Sequence, residues 1–213
     1  METQVKIKIC GLRTPADVAA VNAALSEYAG FIFVPMRRRY VAPAQAAILC
    51  QQLDPRIRPV GVFVDARVEE ILEALEHCPI EMVQLHGAED NDYIAMLRAA
   101  YRSRFAVESR ELCIVKAFRV EVADDIRRAE ASAADEILLD HGAGGTGERF
   151  DWTLLQHCRR RFFLAGGLTP DNVEEAIRVA QPYAVDASSS LESDGRKDPE
   201  KIRRFVAAVR RSL

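Results

Sequence analysis

The sequence predicts an α/β protein folded as a single-domain (β/α)₈ barrel over residues 1–213. Three observations carry that prediction. Short apolar, β-prone runs alternate with longer segments whose apolar residues recur every three or four positions. Eight such pairs are present, and Val5 and Tyr183, which open the first and last runs, are 178 residues apart, giving intervals of about 25 residues, the length of a βα unit. The first run is followed by Cys10-Gly11-Leu12-Arg13-Thr14, not by the glycine-rich turn that an open, doubly wound sheet would favour there.

The elements follow in order. The first run, 5–9, leads to Thr14-Pro15, a capping hydroxyl before a proline suited to the first helical turn. The second, 30–34, ends at Pro35. The third, 58–64, precedes Val68, Ile71, Leu72 and Leu75, the apolar stripe of an amphipathic helix. Runs at 82–85, 112–117 and 136–139 come next; a polar stretch, 102–111, precedes the fifth, and the glycine-rich segment 142–147 follows the sixth. Phe150 and Trp152 then stand where a loop enters a sixth helix, with packing as their default role. The seventh run, 162–165, leads to Thr169-Pro170, read as another hydroxyl-proline helix start. The eighth, 183–187, leads to Asp198-Pro199 and the stripe Ile202, Phe205, Val206, Val209.

Composition narrows the function. With 49% apolar and 29% charged residues the chain reads as globular, and its apolar runs are strand-sized, far below the ~20 residues that cross a bilayer. The net charge of −3 arises from 29 basic and 32 acidic residues spread along the chain, which leaves no electrostatic footprint for nucleic acid or anionic lipid. Five dispersed cysteines, 10, 50, 78, 113 and 158, fit neither a disulfide framework nor a zinc knuckle. The start of the chain lacks the features of a signal peptide. These readings together predict a cytoplasmic protein with reduced thiols.

In a barrel of this kind the chemistry lies at the carboxyl ends of the strands. Gly166-Gly167 after the seventh run and Ser188-Ser189-Ser190 after the eighth fit a phosphate cup, the plainer alternative being a tight turn beside a polar loop. Cys10, next to Gly11, fits either a base or nucleophile, or a small buried hydrophobe. Asp140 closes the apolar run 137–139, where a carboxyl would hold its proton more tightly than usual; an Asx turn is the alternative. A cysteine and an aspartate on opposite rims would form an acid/base pair across a ligand. His86 reads more readily as a satisfied rim histidine, and Arg37-Arg38-Arg39 as a solvated loop with at most one side chain inward. The basic runs 159–161, 203–204 and 210–211 read as solvated helix faces and C-terminal dipole partners. A metal-dependent sugar-phosphate epimerase would need a His/Asp cluster that the strand ends do not offer. A catalytically silent phosphate-binding barrel is disfavoured by the presence of both Cys10 and Asp140.

An ordered set of motifs adds a resemblance. Lys8-Ile9-Cys10-Gly11, Gly30-Phe31-Ile32-Phe33, Arg39-Tyr40-Val41, Val60-Gly61-Val62-Phe63-Val64 and Val83-Gln84-Leu85-His86-Gly87 resemble successive signatures of the phosphoribosylanthranilate isomerases of tryptophan biosynthesis. Leu138-Leu139-Asp140, Gly144-Gly145-Thr146-Gly147 with Phe150-Asp151-Trp152, Ala165-Gly166-Gly167-Leu168-Thr169-Pro170-Asp171-Asn172-Val173, and Val185-Asp186 with Ser188-Ser189 and Glu192 continue the series. The resemblance implies an Amadori rearrangement of N-(5'-phosphoribosyl)anthranilate to 1-(2-carboxyphenylamino)-1-deoxy-D-ribulose 5-phosphate, with no metal or organic cofactor. It also implies a phosphorylated small molecule as the ligand, no nucleic acid or membrane partner, and a monomer or homodimer. Asp140 would be the general acid and Cys10 the general base. Arg39 would hold the anthranilate carboxylate; Gly166, Gly167, Ser188 and Ser189 would hold the phosphate; His86 and Asp186 would complete the substrate-binding set. The chain departs from the family pattern in its three consecutive arginines, 37–39, where small or single basic residues are usual, and in Ser190, where glycine is frequent.

Overall fold

Branched and aromatic residues dominate the eight runs because a parallel barrel buries both faces of every strand. In the computed structural model these runs are β1 (Lys6–Cys10), β2 (Tyr28–Ile32), β3 (Arg58–Phe63), β4 (Met82–Leu85), β5 (Cys113–Arg119), β6 (Glu136–Asp140), β7 (Phe162–Ala165) and β8 (Ala184–Ala187). Each pairs in parallel with the next, and β1 pairs with β8, so the sheet closes. The structure describes residues 4–105, 111–141 and 152–212. The glycine-rich segment 142–147, Phe150 and Asp151 lie outside the described residues, as does much of the polar stretch 102–111.

Among the described residues, seven α-helices follow strands: α1 (Pro15–Ala24), α2 (Pro43–Cys50), α3 (Val68–His77), α4 (Asn91–Arg104), α5 (Ala123–Glu130), α6 (Val173–Ala180) and α7 (Pro199–Arg211). None is long and apolar enough to cross a membrane. At the position expected for a sixth helix, between β6 and β7, the described chain forms a 3₁₀ helix, Trp152–His157. Thr14 caps α1 as the sequence predicts: its hydroxyl accepts from Asp17 N at 3.2 Å, and Asp17 Oδ2 accepts from Thr14 N at 3.0 Å. Asp198 caps α7 by accepting from the backbone N–H groups of Glu200 and Lys201. Thr169-Pro170 differs from the prediction. Asn172 Oδ1 accepts from Thr169 N at 2.8 Å, folding 169–172 into a turn, and α6 starts only at Val173.

Side chains alternate across each strand, so one set fills the barrel and the other meets the helices. Tyr28, Val60, Met82, Val115, Leu138, Phe163 and Ala184 form the inner core. Ile7, Ile9, Phe31, Phe63, Val83, Ile114, Ile137, Leu164 and Val185 belong to the larger outer core. The amino-terminal mouth is closed by charge and aromatic rings. Lys6 and Arg161 lie over the Tyr183 ring at 5.0 and 4.0 Å, Arg58 lies over Tyr28 at 5.8 Å, and Arg161 pairs with Glu136. Arg160 donates to the carbonyls of Glu130, Ser132, Ala134 and Asp135. Arg210 donates to Val5 O and Glu27 Oε1. These arginines therefore stitch elements together, where the sequence reading made them solvated faces.

After β8 comes a 3₁₀ turn, Ser189–Leu191, and a small antiparallel hairpin, β9 (Glu192–Ser193) and β10 (Arg196–Lys197). Its tip, Asp194-Gly195, has φ of 50° and 75°. Positive φ at both central residues is the requirement of a type I′ turn, which Asp-Gly meets readily. The hairpin pairs Lys197 with Glu192 and presents both to the carboxyl end of the barrel.

Candidate active site

A cavity of about 660 Å³ opens at the carboxyl ends of the strands, lined among others by Cys10, Arg39, His86, Asp140, Gly166 and Asp186. Gly167, Ser188 and Ser189 also line it, so every site residue singled out from the sequence reaches this one cavity.

Cys10 ends β1, buried at the floor of the cavity, and its place depends on a glycine in the adjacent strand. A Cβ at Gly30 would lie 2.7 Å from Cys10 Sγ, so β2 leaves the room that the thiol fills. Gly11 serves a different neighbour: a Cβ there would lie 2.7 Å from Arg39 Cδ. Burial pushes the Cys10 thiol above its ordinary value, while the nearby ammonium groups of Lys8 and Lys197 pull it down.

Lys8 lies one pleat deeper on β1. It is 1% exposed and donates to Asp186 Oδ2 at 2.7 Å across the β1–β8 pairing, in which Lys8 and Asp186 are register partners. Burial opposes its charge, but Asp186 and Cys10 outweigh that and hold the ammonium above the ordinary lysine value. Asp186 Oδ1 is buried without a protein partner.

Asp140 ends β6 on the far side of the cavity. His86 Nε2 lies 3.5 Å from its Oδ2. Gln84 Nε2, which can only donate, contacts His86 Nδ1 at 2.9 Å, so the ring proton is on Nε2 and faces the carboxylate. Gly166, with φ of 93°, brings bare backbone against Asp140: a Cβ there would lie 2.6 Å from Oδ1. A Cβ at Gly167 would meet nothing within 4 Å, so that position opens directly onto the cavity. The Ser188 hydroxyl donates to Cys10 O at 2.9 Å, tying the end of β8 to that of β1.

The three arginines separate by partner. Arg39, 23% exposed, donates from Nε to Glu192 Oε1 at 2.6 Å and from Nη2 to Oε2 at 3.1 Å. That side-on fork fixes the guanidinium plane and leaves its Nη1 edge for a second planar anion. Arg38, 58% exposed, reaches the same carboxylate from outside, and Arg37 lines the cavity mouth. Lys197 completes the cluster, donating to Glu192 Oε1 at 3.1 Å and to Ser188 O at 2.9 Å. Burial opposes the charge on Glu192, but its bonds to Arg39 and Lys197 outweigh that and hold the carboxyl at about 2.

Lys8, Gln84 and Lys197 are site residues that the sequence reading missed. For Lys8 the signal was present. In Lys6-Ile7-Lys8-Ile9-Cys10 the isoleucines must face the helices, which sends Lys8 and Cys10 together into the barrel.

Fold and cleft together define a (β/α)₈-barrel enzyme with its polar site at the strand carboxyl ends. The sequence profile of the N-(5'phosphoribosyl)anthranilate (PRA) isomerase family matches residues 7–208. The chain is 43% identical over 205 residues to the N-(5'-phosphoribosyl)anthranilate isomerase of Lactiplantibacillus plantarum, covering 94% of this chain and 90% of that one. It superposes on the phosphoribosyl anthranilate isomerase of Thermotoga maritima with a TM-score of 0.85 at 34% identity, over 97% of this chain and 98% of that one. A second solved structure, at TM-score 0.83 and 32% identity with the same coverage, is a phosphoribosyl anthranilate isomerase in complex with reduced 1-(o-carboxyphenylamino)-1-deoxyribulose 5-phosphate. The chain belongs to the N-(5'-phosphoribosyl)anthranilate isomerase family, the intramolecular aldose–ketose isomerases of tryptophan biosynthesis.

Proposed function

We propose that this chain converts N-(5'-phosphoribosyl)anthranilate to 1-(2-carboxyphenylamino)-1-deoxy-D-ribulose 5-phosphate, with Asp140 as general acid and Cys10 as general base. The observation that carries the reading is the convergence of Cys10 and Asp140 on one cavity that also holds Arg39 and the Gly166-Gly167 corner. Asp140 gives its proton to the furanose ring oxygen as the bond from that oxygen to C1 breaks, leaving a protonated imine between C1 and the anilino nitrogen, which keeps its N–H. The Cys10 thiolate takes the proton from C2, and the electron pair becomes the C1–C2 double bond of an enolamine. Moving a proton from the C2 hydroxyl to C1 gives the ketone. The enzyme has then lost one proton at Asp140 and gained one at Cys10, and exchange between the two restores the starting state.

The remaining groups bind and orient. The free edge of Arg39 suits the anthranilate carboxylate, and the backbone at Gly166 and Gly167 with the hydroxyls of Ser188 and Ser189 suits the phosphate. The His86 Nε2–H beside Asp140 and the unpartnered Oδ1 of Asp186 complete the contacts to the sugar and the bridging nitrogen. In this reading the ligand is a phosphorylated small molecule, the protein is cytoplasmic, and one barrel domain does the whole task as a monomer or homodimer.

The test is turnover by the purified protein, with Cys10→Ser and Asp140→Asn as controls. Each substitution is expected to lower kcat by about 10²- to 10⁴-fold with folding intact, and neither should complement a tryptophan auxotroph lacking the isomerase. Full activity in either variant overturns the assignment.

A further inference from the structure

The reaction scheme above leaves Lys8 without a task, although burying an ammonium is costly and an apolar side chain would fill the same space at less expense. Its surroundings supply a reason. Lys8 and Cys10 are two apart on β1 and share the inward face. Lys8 donates to Asp186 Oδ2 at 2.7 Å, and the ammonium and the Cys10 thiol are both buried on that inward face. The charged groups facing Cys10 are Lys8 from its own strand, Asp186 from β8 and Lys197 from β10. Behind them, Glu192 on β9 and Arg39 on the loop after β2 face Lys197, while Asp140 on β6 and His86 after β4 face Asp186. Lys197 is already bonded to Glu192 and to Ser188 O. Lys8 is thus the cation on the sulfur's own strand and face, held in place by a single carboxylate, so negative charge arising on the sulfur would meet a fixed positive neighbour.

We propose that Lys8 is the positioning residue that holds the Cys10 sulfur in its proton-accepting form, with Asp186 aiming the Lys8 ammonium across the seam of the barrel. This rests on the reading of Cys10 as the base, and the test separates the two ideas because it needs no substrate. The rate of Cys10 alkylation by iodoacetamide is followed against pH by mass spectrometry of the Cys10-containing peptide. The proteins compared are the wild type, Lys8→Met, Lys8→Arg and the double variant Lys8→Met/Asp186→Asn. Lys8→Met should move the midpoint of the profile up by at least about one unit, which is about a tenfold loss of alkylation rate at neutral pH. The acidic limb of kcat/KM should move with it, and Lys8→Arg should stay near the wild type. The double variant removes both buried charges at once, so it remains informative if Lys8→Met alone does not fold; its midpoint should also lie above the wild type, because the cation two residues from the sulfur on its own strand is lost. Unchanged alkylation profiles in folded Lys8→Met and in the double variant overturn the proposal, even with Cys10→Ser inactive. Shifted profiles together with an active Cys10→Ser support the role of Lys8 and overturn the base assignment instead.

Discussion

Replacing Gly30 with alanine adds one methyl group at the point where β1 and β2 press closest beneath the site. The new Cβ would lie 2.7 Å from Cys10 Sγ, 3.0 Å from Cys10 Cα and 3.2 Å from Cys10 Cβ. Ordinary contacts of this kind are about 3.5–4.0 Å, so the overlap is about 1 Å. The backbone has little freedom to retreat, because Cys10 and Gly30 are register partners and Gly30 O accepts from Gly11 N at 2.8 Å and Leu12 N at 3.0 Å. The sulfur must therefore swing away. Overpacking of a tight core costs about 1–3 kcal/mol, and a misplacement of about 1 Å in a reacting group costs on the order of 100-fold in rate. Urea unfolding and steady-state kinetics read the two effects separately. Gly30→Ala should lose about 1–3 kcal/mol of stability and about 100-fold in kcat, with KM changed much less. Wild-type turnover in a destabilised but folded Gly30→Ala protein would show that the position of the sulfur does not matter, and would refute the reasoning.

Two further predictions concern the charges around the site. Glu192, held at about 2 against an ordinary 4.5, stabilises the fold fully above pH 4.5 and loses that contribution as pH falls toward 2. The shift corresponds to about 3 kcal/mol at most, reduced to about 1–2 by solvent screening; urea unfolding at pH 6 and pH 3 should therefore show a shallower acid loss in Glu192→Gln, and an identical loss would count against the Arg39–Glu192–Lys197 cluster. Lys116 (5% exposed) lies 3.3 Å from Glu89 (2% exposed) and donates to Gly87 O at 2.7 Å beside His86. Lys116→Met should cost about 3–5 kcal/mol by leaving that carboxylate uncompensated, and adding Glu89→Gln should recover part of it; a double variant no more stable than the single one contradicts this account.

The outer half of the fold was legible because each of its signals is local. Alternating apolar runs located all eight strands, although β2 starts at Tyr28, two residues before the predicted run, since Tyr28 and Ala29 are already paired with β1 and β3. Caps that act within one turn, Thr14 and Asp198, were read correctly. Thr169-Pro170 misled because Asn172, three residues on, competes for the same backbone and delays the helix. Features that depend on closure of the ring were harder to see. The space for Cys10 comes from Gly30 on the next strand, and Arg39 is oriented by Glu192, 153 residues later. Arg160 gathers carbonyl groups from the segment before β6, an arrangement with no short-range signature.

The seam between β1 and β8 gives the site an unusual relation to the chain. Lys8 and Asp186 are 178 residues apart, as are Cys10 and Ser188, and both contacts form only when the first strand meets the last. Contacts of such long sequence separation carry the greatest loop-closure cost and form late in folding. A fragment carrying only the first half of the strands would include the thiol, Lys8 and Gly30 yet lack Asp186, Ser188 and Lys197. The thiol is therefore a reporter of completed topology: its surroundings are assembled in full only once the two ends of the barrel have joined.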